Sequence, residues 1–116
     1  CISDLGYNLR DQSIIRHMPS NIDGKFTFYQ TSDTTVPTIL ESNVLAGYFS
    51  GSSLCRAKYI GTINPLLNST QKQVYAQRDT EHNAASSELA RRKISYGEWA
   101  QRENESIDKA KLKLQQ

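Results

Sequence analysis

The residues with the most pointed chemistry in this 116-residue chain are its two cysteines, Cys1 and Cys55. A thiol can be acylated, oxidised to a disulfide or bound to a metal, and its neighbours decide which. Metal binding needs three or four clustered ligands. Cys1 and Cys55 lie far apart and neither neighbours a histidine, so no metal site and no cofactor are expected. The two histidines fall in different halves of the chain. His17 lies between Asp11 and Asp23, and His82 stands beside Glu81. No motif places a nucleophile next to either, and both read as satisfied or solvated side chains. The stretch Gly47-Tyr48-Phe49-Ser50-Gly51-Ser52-Ser53 lacks the lysine and spacing of a phosphate-binding loop and reads as a hairpin turn. Two N-glycosylation sequons occur, Asn68-Ser69-Thr70 and Asn104-Glu105-Ser106, the second in a stretch expected to be mid-helix. No catalytic constellation emerges, and a non-enzymatic protein is expected.

Cys1 heads the chain and no initiator Met precedes it. In this respect the chain resembles the processed form of a bacterial lipoprotein. The resemblance implies a diacylglycerol on the Cys1 thiol and an acyl chain on its amine, with membrane lipid as the first partner. Two or three acyl chains anchor a protein stably, where one holds only marginally. In enteric-type bacteria an Asp after the cysteine retains such proteins at the inner membrane. Ile2 stands there, so the resemblance implies the periplasmic face of the outer membrane. The alternative is a secreted or periplasmic protein with a Cys1–Cys55 disulfide. Such a bridge closes a long loop and would stabilise by about 4 kcal/mol. If Cys1 carries lipid instead, Cys55 must be buried and unpaired. In Leu54-Cys55-Arg56-Ala57-Lys58-Tyr59 the alternation puts Cys55, Ala57 and Tyr59 on one face of a strand, which would bury the thiol.

The formal charge of +2 is too small for a nucleic-acid binder. No apolar run of about 18 residues exists to span a bilayer. Arg91-Arg92-Lys93 with nearby Trp99 could touch a partner or anionic headgroups, and a helix C-terminus explains it as well. Tyr75, Arg91, Arg92, Tyr96 and Trp99 are the candidate partner-binding residues, with core packing the competing role for the aromatic ones. The expected function is a membrane-tethered accessory or adaptor subunit that binds a protein of the cell envelope. The alternative is a secreted, disulfide-bonded binder or inhibitor.

These residues must be positioned by two unlike halves. All three prolines and all three phenylalanines precede position 66, as do five of the six glycines. Beyond about residue 69 the chain is rich in Ala, Glu, Gln, Lys and Arg. The expectation is one α+β domain: residues 1–68 a tether arm and β-rich part, residues 69–116 a two-helix hairpin. Lys25–Gln30, Val36–Leu40, Val44–Ser50 and Leu54–Ile63 read as the strands of a small antiparallel sheet of three or four strands. Residues 3–18 fit a short helix or an arm. Asn68, Ser69 and Thr70 are candidate N-caps for a helix running to about Arg92. Ser95 with Glu98 is a capping box for a second helix, with Ile94 and Trp99 as a hydrophobic staple. Its inner face should carry Trp99, Ile107, Ala110 and Leu114, and Glu98–Arg102 and Glu105–Lys109 have favourable acid-first spacing outside. Residues 89–99 resemble short helix–turn–helix segments near the C-termini of bacterial envelope proteins. Lys93 stands where those have glycine.

Overall fold

Where the sequence pattern predicts the two strands Val44–Ser50 and Leu54–Ile63, the chain forms one long helix. A computed structural model describes residues 12–19, 21 and 23–115. Among these are five α-helices: α1 (Gln12–Ile15), α2 (Phe28–Thr31), α3 (Ile39–Ile63), α4 (Ser69–Ala90) and α5 (Tyr96–Leu114). A 3-10 turn at Asn64–Leu66 follows α3. No strand occurs among the described residues, so the fold is mostly α and the expected α+β class with its antiparallel sheet is overturned.

The four expected strands fail for local reasons. In Lys25–Gln30, Thr27 caps α2: its side chain accepts from the Gln30 N–H while the Gln30 side chain answers the Thr27 N–H. That reciprocal cap outweighs the two-residue alternation. In Val36–Leu40, Thr38 and Glu41 form the same box and start α3. Val44–Ser50 and Leu54–Ile63 are consecutive parts of that helix, and Gly51-Ser52-Ser53, read as a turn, lies inside it. Glu41, Leu45, Ser52 and Cys55 are its buried residues, with Tyr48 and Phe49 half-buried between them. This is a spacing of three and four, which only a helix gives. The alternation of Cys55, Ala57 and Tyr59 does not describe a face: Cys55 is buried while Ala57 and Tyr59 are exposed. Each interior glycine costs about 1 kcal/mol of helix propensity. Packing of the Leu45 face against the core outweighs Gly47, Gly51 and Gly61.

Residues 69–114 form two helices packed on each other, although Leu114, expected on the inner face, is exposed. Asn68 is the N-cap of α4 and makes a capping box with Gln71. The helix ends in a Schellman turn: Lys93 N–H reaches Glu88 O at 2.9 Å and Arg92 N–H reaches Leu89 O at 2.9 Å. The left-handed residue this requires is Arg92, at φ 63°, rather than a glycine. Ser95 then caps α5, its Oγ accepting from the Glu98 N–H at 3.1 Å. Leu89 and Ala85 of α4 face Tyr96, Trp99 and Ala100 of α5 in a core that also takes Ile14, Phe26, Leu45 and Ile94. Residues from both halves therefore share one core. The acids and bases on the outer hairpin pair across helices instead of along one: Arg102 bonds Glu88 at 2.5 Å, and Lys109 bonds Glu81.

The segment from Thr31 to Thr35 lies across the start of α5. Tyr96 N–H donates to Thr35 O at 2.9 Å, Gly97 N–H to Asp33 O at 2.7 Å, and the Gln101 side chain to Thr31 O at 2.8 Å. Helix starts leave amides unsatisfied, and this strap of backbone carbonyls satisfies two of them. The approach is so close that a Cβ on Gly97 would lie 2.7 Å from Thr31 O and nearer still to Asp33 O.

Candidate functional site

The hairpin and α3 enclose a cleft of about 400 Å³, bounded also by the loop before α2. Phe26, Tyr48, Phe49, Trp99 and Ile107 make its apolar wall. The rings hold one another: Phe26 meets Trp99 edge-on with centroids 5.0 Å apart, and Phe49 lies 5.8 Å from Trp99. Trp99 is anchored from behind, its indole N–H donating to Ser86 Oγ at 3.2 Å.

The polar wall is a charged cluster bridging α4 and α5. Glu103 is only 3% exposed, yet one oxygen takes Arg78 Nη2 at 2.5 Å and the other meets His82 Nδ1 at 2.6 Å. Burial alone would raise its pKa. The His82 hydrogen bond and charge, with Arg78, outweigh burial and hold the carboxyl below its ordinary value, so Glu103 is an anion at neutral pH. The arrangement fixes the His82 ring and leaves Nε2 without a hydrogen bond among the described residues. Arg78 Nη1 is buried and has no acceptor among them either. A buried donor left unmatched costs about 1–3 kcal/mol, and more on a charged group. Arg56 stands at the rim, held by Asp79 at 2.9 Å, Asn83 at 2.8 Å and Ser52 at 3.2 Å.

A second polar cluster clasps the N-terminal part to the hairpin. The His17 ring stacks on Tyr96, with centroids 3.6 Å apart and planes within 4°. His17 Nδ1 meets Asp33 at 2.9 Å, and Nε2 accepts from Arg16 Nε at 3.3 Å. Burial lowers the His17 pKa despite the neighbouring Asp33, so the ring is neutral and donates through Nδ1. Tyr96 donates its hydroxyl to Glu41 at 3.1 Å, and burial together with that carboxylate pushes its pKa up. Among the described residues the carboxylate that pairs with His17 is Asp33 rather than Asp23, and Asp11 lies outside them. Among the described residues neither histidine has a serine, threonine or cysteine hydrogen-bonded to it, and no cluster of three metal-ligating side chains occurs.

The residues expected to meet a partner do not form one surface. Tyr96 and Trp99 are each 2% exposed and belong to the core. Tyr75 is exposed on α4 beside Tyr59 and Ile60, while Arg91 sits at the other end of that helix beside Leu54. Arg92 is held in its turn, donating from Nε to Pro37 O at 2.7 Å. Cys1 lies outside the described residues. Cys55 is buried and disulfide-bonded.

Sequence reasoning missed the Arg78–His82–Glu103 cluster, although the signal for it was present. Once the turn near Arg92 is placed, residues about equally far from it on the two helices face each other. His82 and Glu103 satisfy that condition, as do Ser86 and Trp99. No family model matches the chain, and no curated protein or solved structure matches it.

Proposed function

We propose that this chain is a non-enzymatic binding module of an exported protein, and that it receives a helix of a protein partner on the outer face of α3. The observation that carries the reading is the exposed seam along that helix. Leu40, Asn43, Gly47, Ser50, Leu54, Ala57 and Gly61 follow one another at alternating steps of three and four, and every one is exposed. These residues share one face of the helix, with Leu40, Leu54 and Ala57 as its apolar members. Nothing lies within 4 Å of where a Cβ on Gly47 or Gly61 would stand, so a partner backbone has room to approach. Large apolar side chains are exposed elsewhere as well: Phe28 is 79% exposed, Tyr29 87% and Leu66 83%.

The disulfide at Cys55 supports export, because such bonds persist in oxidising compartments. The sequence offers one other cysteine, Cys1, and we take it as the partner. The lipid tether is the competing reading, in which the acyl chains on Cys1 place the module at the outer membrane of a bacterial envelope. The two exclude each other in one molecule, since a single sulfur cannot hold both a thioether and a disulfide. Intact mass of the native protein decides: loss of two hydrogens for the bridge, a gain of acyl mass for the anchor.

The binding face is tested with a photo-crosslinking residue at Leu54, compared with one at Gln73 on exposed α4 surface. In the native host Leu54 should trap a discrete species that disappears in a Leu40→Glu, Leu54→Glu chain whose urea midpoint is unchanged. Equal trapping at both positions would sink the proposal.

A further inference from the structure

We propose that the end of the molecule where α3 stops and α4 starts docks on an anionic bilayer surface. Three helix ends meet there. α3 and α4 run antiparallel, with Arg56 on Asp79 and Phe49 beside His82. α4 and α5 do the same, with His82 on Glu103 and Lys109 on Glu81. The last turns of α3 and α5 therefore flank the first part of α4, and the 3-10 turn at Asn64–Leu66 forms the tip. This end lies beyond the α3 face assigned above to a protein partner and does not rest on that reading.

The tip is apolar and the surface behind it is basic. Pro65 and Leu66 are both exposed. Exposed Tyr59 and Tyr75 lie together behind them, and Leu112 and Leu114 are exposed on the last turns of α5. Tyrosines behind an apolar tip suit a bilayer interface, where the ring is buried and the hydroxyl stays among the headgroups. Lys58, Lys72 and Lys113 are exposed and enter no ion pair among the described residues, unlike Lys25, Lys109 and Lys111. Acids are missing here: the chain has 12, yet none falls in residues 57–77 or 109–116. The nearest ones are neutralised, Asp79 by Arg56, Glu81 by Lys109 and Asp108 by Lys25. The small net charge of the whole chain thus understates the positive potential at this end. At the opposite end the bases are committed, Arg92 to Pro37 O and Arg102 to Glu88. Unpaired lysines around an apolar tip match a bilayer with anionic headgroups, which the lysines attract while the tip enters the interface.

The test is vesicle flotation of the full chain, purified in a form whose intact mass shows no acyl group. One set of vesicles is equal parts phosphatidylglycerol and phosphatidylcholine, the other phosphatidylcholine alone. Binding to the mixed vesicles should be at least about tenfold stronger, since each lysine near an anionic surface adds up to about fivefold. Added salt should weaken it. Lys72→Glu should remove most of the preference. Lys93→Glu makes the same change in net charge at an exposed site in the α4–α5 turn and should leave binding nearly unchanged. Leu66→Trp gives a second reading that needs no loss of function. The one native tryptophan, Trp99, is buried, so a blue shift of emission on adding mixed vesicles reports the tip. Three results would overturn the proposal: equal binding to both kinds of vesicle or to neither, equal weakening by Lys72→Glu and Lys93→Glu, or an unshifted emission in Leu66→Trp.

Discussion

Replacing Gly97 with alanine should destabilise the protein, although by helix propensity alone the change favours folding by about 1 kcal/mol. The new methyl would stand 2.7 Å from Thr31 O and 2.9 Å from Asp33 N, with Asp33 O closer still. These are backbone atoms of the strap and cannot rotate away. The strap must lift, and two hydrogen bonds go with it: Tyr96 N–H to Thr35 O and Gly97 N–H to Asp33 O. Both donors belong to buried residues, so each loss costs about 1–3 kcal/mol. After subtracting the propensity gain, a net loss of about 1–5 kcal/mol remains. The control is Gly47→Ala on the open face of α3, where nothing lies within 4 Å of the added methyl. That change should stabilise by about 0.5–1 kcal/mol. Urea unfolding of the two variants beside the parent chain reads both numbers. If Gly97→Ala is as stable as the parent, the close approach of the strap is wrong, and so is the account of how α5 begins.

Glu103→Ala strands the Arg78 and His82 side chains against a buried site and should cost about 3–5 kcal/mol in the same urea assay; a loss under about 1 kcal/mol would mean the cluster is solvated. Leu89→Ala opens a cavity at a fully buried position between α4 and α5 and should cost about 2–5 kcal/mol, read as a drop in thermal midpoint. Stability should fall as pH drops. His17, with its pKa held below 6.5, must gain a proton on unfolding below that pH. Glu81, whose pKa is lowered from 4.5 to about 2 chiefly by its Lys109 bond, stabilises fully above 4.5 and loses that contribution as pH falls towards 2. The urea midpoint should therefore decline steadily from about pH 7 to about pH 3, and His17→Gln should flatten the part of the curve nearest pH 6.5. A midpoint that rises on acidification contradicts both assignments.

The C-terminal half was legible because its signals are local. Asn68 and Ser95 cap the helices they precede in sequence, and the tight turn between α4 and α5 forces an antiparallel hairpin. The first half misled because its local signals conflict. Lys25–Gln30 alternates as a strand does, while Thr27 and Gln30 close a capping box that begins a helical turn. In α3, glycines and β-branched residues argue against a helix, and only the spacing of Glu41, Leu45, Ser52 and Cys55 argues for one. That spacing has force only when a core is present to receive it. The candidate site was hidden for a related reason. Arg78, His82 and Glu103 look like three solvated side chains in polar stretches, and the pairing appears only once two helices lie side by side. Arg92 conceals its role in the same way, adopting the left-handed conformation usually left to glycine and holding Pro37 with the side chain a glycine lacks.

The strap over α5 also has a consequence for the order of folding. Contacts within the hairpin join residues close along the chain, such as Ser86 and Trp99, whereas the strap joins Asp33 to Gly97 across most of the sequence. Closing the longer loop carries the greater entropic cost, so the hairpin should assemble before the strap docks. Loosening the strap should then leave the folding rate nearly untouched and shorten the lifetime of the native state. Gly97→Ala would act as a change in unfolding rate, and the clasp at the start of α5 as the protein's kinetic latch.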